Sequence, residues 1–460
     1  MTECSERAEE FEGFARRRLT ARFDGGRISS DGGALLLLET ERRTGILARF
    51  AGCFSDHRDA RRVEHPVADL ARQRVLGLCL GYEDLSDHDL LRDDPLLRAL
   101  AGKERPGDAL AGKSTLSRLE LSTPDGSAGD RYKRIALDTD AVDRLFVDAF
   151  LESEASSPSS IVIDLDATDF PLHGNQEGRF FHGYYGNYCY LPLYIFSGRH
   201  LLLARLRQAN IDAAAGSRDE LAKIVAQIRA AWPTTRIVIR ADSGFCRDEL
   251  LTWCEESRVD YVIGLARNGR LHELSQYHLG VAQCLHAAQG GSQRAYGELE
   301  YRTVDTWSRE RRVVLRAEHS AHGDNPRYVV TSLPESEVDA RTLYEDIYCA
   351  RGEMENRIKE QQLDLFAGRA SAETMRANQV RLYFASIAYT LMEALRRIGL
   401  AHTELERAQC GTIRNRLLKI GAQVRVSVRR IVVALSEAFP LRELFARAVA
   451  NLRGAAPATG

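Results

Sequence analysis

The chain has 460 residues, 44% hydrophobic and 28% charged, with a formal net charge of −2 at pH 7, so about two to four soluble globular domains are expected. No run approaches the ~20 apolar residues of a membrane span, and Met1 to Glu10 lacks the basic-then-apolar layout of a secretion signal, so the expected location is cytoplasmic, with no membrane partner. The nine cysteines are scattered without a Cys-x-x-Cys pair, which argues against a structural zinc site and a redox motif.

Residues 1–155 read mostly as helical. Gly32-Gly33 opens an apolar segment, and Val67 to Leu80 and Leu90 to Leu100 carry helical spacing punctuated by Gly81, Pro95 and Gly102. Arg16-Arg17-Arg18 with Arg22, and Arg58 with Arg61-Arg62, are local basic clusters that suit either phosphate contacts or a solvated face. Gly107 to Ser114 matches the P-loop pattern, but a polar turn, Lys103 to Pro106, stands where a buried strand is required. A capped helix start near Ser114 is the better expectation than an ATP site.

Ser153 to Ser160 is a Ser-rich connector. Beyond it, Ile161 to Thr168, Tyr184 to Phe196, Leu201 to Arg207, Arg236 to Gly244 and Tyr261 to Leu265 read as strands, with helices over Asp219 to Trp232 and Leu250 to Glu256. That order predicts a mixed α/β sheet with helices on its faces. Within residues 270–335, Leu299 to Thr306, Arg311 to Ala317 and Arg327 to Ser332 alternate like antiparallel strands and read as a β-rich insertion. A helix capped by Asp339 follows, carrying Tyr348, Arg351, Glu355 and Lys359 at ~3.6-residue spacing on one face. A further apolar helix spans Met375 to Ile398.

Only six of the 63 basic residues are Lys; the rest are Arg, whose forks suit phosphates, although a GC-rich genome gives the same bias. The clearest basic run lies near the end. From Arg407 to Ser436 there is no acidic residue, and Arg414, Arg416, Lys419, Arg425, Arg429 and Arg430 are candidates for a DNA backbone, against the plainer alternative of a solvated helix pair.

Three acids stand out by context. Asp166 ends the first strand, Asp242 ends the fourth, and Glu355 lies on the late helix. Strand ends are where α/β sheets gather their sites. Two Asp and one Glu offer hard oxygens to Mg²⁺, and two such ions can activate a nucleophile and stabilise a leaving oxygen of a phosphodiester. Asp164 shares a strand face with Asp166 and is the rival ligand.

The ordered set Asp166-Ala-Thr168, Asp242-Ser-Gly244 and Tyr348-x-x-Arg351-x-x-x-Glu355 resembles bacterial insertion-sequence transposases of the DDE type, in the group with a Tyr-Arg-Glu signature. The 112 positions between Asp242 and Glu355 leave room for the β-rich insertion of such proteins. The family has Lys seven residues after the Glu; here Gln362 stands there, and Lys359 lies on the same face instead.

The resemblance implies an RNase H-like core, with Asp166, Asp242 and Glu355 holding two Mg²⁺ ions, Mn²⁺ being the other option. It implies phosphate contacts from Tyr348, Arg351 and Lys359. It further implies a homodimer acting on double-stranded DNA, both the terminal inverted repeats of a mobile element and its target. Trp307, in the insertion, is a candidate for stacking on an unpaired base or for a place in the core. The expected division is a helical DNA-end-binding region (1–155), a first core part (156–269), the β-rich insertion (270–335), a second core part with the Glu355 helix (336–398) and a basic helical region (399–460). The alternatives are a structure-specific nuclease on the same fold and a DNA-binding regulator that has lost catalysis.

Overall fold

The computed structural model describes residues 9–14, 17–103, 108–123 and 133–454. Arg16 and residues 104–107 of the P-loop match and its approach lie outside them. Gly112 leads into a helix, Lys113–Glu120, with the Asp89 carboxylate accepting from the Lys113 amide at 2.8 Å. A carboxylate thus holds the position at which a phosphate would bind.

The N-terminal helices α1 (Ala34–Thr44), α2 (Val67–Leu80) and α3 (Thr139–Leu151) precede the sheet. The strands are β1 (Ser160–Ala167), β2 (Leu193–Ser197), β3 (His200–Arg205), β4 (Arg236–Ala241) and β5 (Asp260–Leu265). Helix α4 (Ser217–Ala231) precedes β4, and α5 (Asp248–Glu256) joins β4 to β5. Then come α6 (Gln276–Gln289), β6 (Gln293–Tyr301), β7 (Arg311–Ser320) and β8 (Arg327–Thr331).

The sheet order is β3-β2-β1-β4-β5-β8-β7-β6, with the short Gly323–Asp324 strand on β7. β1, β4 and β5 are parallel and every other pairing is antiparallel. Parallel strands are buried on both faces, which is why β4 reads as an unbroken Ile-Val-Ile run. Ile237 and Ile239 pack with Ile163, Leu221 and Leu251 on one face, while Val238 packs with Val262 and Leu343 on the other.

Three elements differ from the sequence expectation. Tyr184 to Phe196 is interrupted: residues 183–186 form a turn with Gly186 at φ 67°, and β2 begins only after Pro192, which has no amide to donate. The 270–335 segment contains helix α6, ended by Gly290 at φ 69°, and its three strands continue the central sheet. The basic segment near the C-terminus, expected as helical, holds a hairpin of β9 (Ala422–Val426) and β10 (Ile431–Leu435); its β-branched alternation suits a pleated surface.

Helix α7 (Gly352–Asp364) leads to α8 (Met375–Ala394), whose start is capped by Thr374 accepting from the Ala377 amide. α8 is buried nearly all round against α1 and α2, as expected of a helix apolar on every face. Residues 28–33 and 418–426, far apart in sequence, meet. Ile28–Ser29 pairs with β9, and the Gly32 and Gly33 amides donate to Ile420 and Leu418 carbonyls at 2.8 and 3.0 Å. A side chain at Gly33 would overlap the Leu417 carbonyl. Lys419 reaches the fully buried Asp31 carboxylate at 2.6 Å.

Candidate active site

β1 and β4 run parallel, with Leu165 paired to Ala241. One residue beyond that pairing on each strand stand Asp166 and Asp242, so the two carboxylates come from neighbouring strand ends. The Asp242 side chain accepts from the Gly244 amide at 2.8 Å and caps the turn Ser243–Phe245. A short Ser-Gly step therefore fixes where this carboxylate points.

Glu355 sits in the first turn of α7, with its side chain 44% exposed. Arg351 links it to the strands. One Arg351 nitrogen donates to Glu355 at 2.9 Å, and another lies 3.5 Å from Asp166. The Tyr348 hydroxyl packs against β5, where a Cβ on Gly264 would lie 2.5 Å from it and 3.0 Å from the Ser243 amide. Only glycine allows the phenol and the Asp242 turn to approach this closely. Burial pushes the Tyr348 phenol up to about 12.

The helix carrying this signature is not uniformly wound. Leu343–Tyr348 is a π turn, Cys349–Arg351 a tight 3₁₀ turn, and regular α geometry resumes at Gly352. The 3.6-residue spacing read from the sequence therefore applies only from α7 onward. Local rewinding of this kind is common at functional sites.

Burial raises the Asp166 carboxyl to about 7, with Asp242 and Glu355 adding repulsion and the Arg351 cation opposing it. Asp164, the rival ligand, is committed elsewhere. Arg240, its register partner on β4, grips it with two hydrogen bonds of 2.5 and 2.8 Å and donates a third, of 2.6 Å, to the Ile347 carbonyl. Arg240 is a residue the sequence reading missed; its one signal was a charge within an otherwise apolar buried strand. Tyr185 and Asp169 were also missed. The Tyr185 hydroxyl donates to the Ala167 carbonyl at 3.3 Å, and Asp169 accepts from Asn187 at 3.2 Å.

Lys359 is exposed, one turn beyond Glu355. Gln362 turns toward the strand side and donates to the Asp169 carbonyl at 3.4 Å. Trp307 lies in the core, 7% exposed, edge-on to Tyr301 with Arg311 over its ring; no face is left for a base. The basic residues near the C-terminus divide into two sets. Arg414 donates to backbone carbonyls of Leu78, Cys79 and Asp364, Lys419 is paired with Asp31, and Arg416 is paired with Glu404. Arg425, Arg429 and Arg430 are exposed on the hairpin, around a fully exposed Val428.

Among the described residues, no group of three or more His, Cys, Asp or Glu is drawn together in a way that could hold a metal ion. The donor chemistry nevertheless fits a divalent cation. Asp166, Asp242 and Glu355 are all hard-oxygen donors, and the Asp166 carboxyl, raised first by burial and then by the charges of Asp242 and Glu355, is one whose ionised form a cation would favour. Here the Arg351 guanidinium supplies that positive charge between Asp166 and Glu355.

No curated protein matches the sequence. Among solved structures, the chain is similar to the piggyBac transposase in its synaptic complex with hairpin DNA, at 12% identity and a TM-score of 0.41, over 85% of this chain and 80% of that one. The model of the family described as transposase DDE domain group 1 matches residues 11–457. With a match over nearly its whole length, the chain belongs to that family and is a DNA transposase, of a kind that generally uses divalent metal ions.

Proposed function

We propose that this transposase cuts DNA at the ends of its own mobile element and joins the freed 3′ ends to target DNA. Asp166, Asp242 and Glu355 are the catalytic carboxylates and would hold two divalent cations, Mg²⁺ or Mn²⁺. When bound, these ions would activate the attacking oxygen and stabilise the leaving one. The observation that carries the reading is Arg351 lying between Asp166 and Glu355, with Asp242 at the end of the strand beside that of Asp166.

Arg351 and Lys359 contact the phosphates beside the cut, where positive charge offsets that gained in the transition state. Tyr348, wedged against Gly264, sets the position of the Asp242 turn. The N-terminal region, 1–155, recognises the element ends. The hairpin residues Arg425, Arg429 and Arg430 hold the duplex backbone. A homodimer in the cytoplasm engages both ends.

Asp166→Asn, Asp242→Asn and Glu355→Gln are each expected to abolish Mg²⁺-dependent cleavage of a duplex carrying the inverted repeat that flanks the gene, while binding persists. Cleavage by Asp242→Asn would sink the assignment.

A further inference from the structure

The small sheet that follows Asp166 carries solvent-facing rings that the fold does not require. Phe181 and Tyr188 face each other across antiparallel strands, with centroids 5.6 Å apart and exposures of 58% and 46%. The Arg179 guanidinium lies 4.8 Å over the Tyr188 ring. In the turn between the strands, Tyr184 is 87% exposed and meets Tyr185 edge-on at 5.0 Å. The small core beneath consists of Cys189, Leu191 and Ala209, with Tyr185 at its edge. Phe181, Tyr184 and Tyr188 lie outside it.

The rings are held beside the carboxylates. The Tyr185 hydroxyl is bonded to the Ala167 carbonyl, one residue from Asp166. Its phenol is pushed up by burial and then by the negative charges of Asp169, Asp166 and Asp242. Tyr184 is thus one ring away from the site. The turn is fixed by Gly186, whose amide donates to the His182 carbonyl at 2.8 Å. Clustered exposed apolar groups on an otherwise polar surface mark an interaction site. Ring faces with an Arg alongside match an unpaired nucleobase and its phosphate.

We propose that the hairpin Phe180–Tyr190 is a stacking platform for an unpaired base beside the phosphodiester being cut, with Tyr184 and Phe181 offering ring faces and Arg179 holding the adjoining phosphate. The proposal rests on the transposase reading of the three carboxylates. It gives a stacking role to this hairpin, since Trp307 is enclosed in the core.

The test uses the full chain in Ca²⁺ and two fluorescent duplexes, one blunt and one ending in a single-stranded tail of about ten thymines. Tyr184→Ala and Phe181→Ala are expected to bind the tailed duplex roughly tenfold to hundredfold more weakly and the blunt one unchanged. Tyr184→Phe, which keeps the ring, is expected to bind both as the wild type does. Unchanged binding of the tailed duplex by both alanine variants overturns the platform. So does an alanine variant that changes the oligomeric state of the free protein, which would make the rings a contact between copies. Asp242→Asn serves as the separate control: its cleavage in Mg²⁺ would overturn the catalytic reading, whereas the tail preference is measured without cleavage.

Discussion

Asp164 on β1 and Arg240 on β4 stand opposite each other in parallel register, joined by two hydrogen bonds, and the same guanidinium holds the Ile347 carbonyl of the signature helix. One buried side chain therefore ties both aspartate strands to the helix that presents Glu355. Removing either partner leaves a charge in the interior. Arg240→Met is expected to cost about 3–5 kcal/mol of stability, measured by urea unfolding. The double variant Asp164→Leu, Arg240→Met is expected to recover much of that stability yet cleave poorly, because the tether to Ile347 is still lost. Wild-type unfolding of Arg240→Met would contradict the clamp.

Arg351 supplies positive charge between Asp166 and Glu355, so it competes with any cation drawn there. Arg351→Ala is expected to bind Mn²⁺ in the absence of DNA at least roughly tenfold more tightly than the wild type, followed by titration calorimetry. Cleavage is expected to fall nonetheless, because a phosphate contact is lost. Weaker Mn²⁺ binding would mean that Arg351 orders the carboxylates and does not compete with the ion.

A pH effect is expected far from this site. His88 is 1% exposed, accepts from the Gln73 amide at its Nδ1, and is pushed down to about 3, first by burial and then by Arg74. The unfolded chain takes up this proton near pH ~6.5 and the native protein does not. The contribution is therefore fully present above pH ~6.5 and is lost as pH falls toward about 3, at roughly 1.4 kcal/mol per pH unit within that window. Melting curves of His88→Leu between neutral pH and mild acid are expected to fall less steeply than the wild type by about that slope. Parallel curves would refute the assignment.

The basic residues near the C-terminus are expected to separate by assay. Arg429→Ala with Arg430→Ala should lower the dependence of DNA binding on log salt by about 1.8 while leaving the melting temperature unchanged. Lys419→Ala should do the reverse. It leaves the buried Asp31 without its cation, costing about 1–3 kcal/mol with little change in salt slope. Equal salt slopes for both variants would erase the distinction.

The strand-end carboxylates were legible because a β-branched run ending in Asp is a local pattern, and Glu355 because Arg351 precedes it by four residues. Other features were hidden for physical reasons. Asp164 and Asp166 share a pleat face, so only the cross-strand neighbour Arg240 separates a structural acid from a candidate ligand. A helical wheel assumes one pitch, whereas Leu343–Arg351 is wound first wide and then tight. Trp307, Arg414 and Lys419 look available in one dimension; carbonyls, rings and an acid far away in sequence enclose them. Alternation in 270–335 revealed strands but not that they would extend the central sheet, because pairing between distant strands leaves no local mark.

The closure of Ile28–Ser29 and Gly32-Gly33 onto Leu418, Ile420 and β9 bears on the timing of synthesis. The earlier segment has to wait on the ribosome for partners made much later, Lys419 following Asp31 by 388 residues. Asp31, fully buried, meets its lysine only once Lys419 has emerged. A chain stopped before that point holds Asp166, Asp242 and Glu355 and still lacks the seam between residues 28–33 and 418–426.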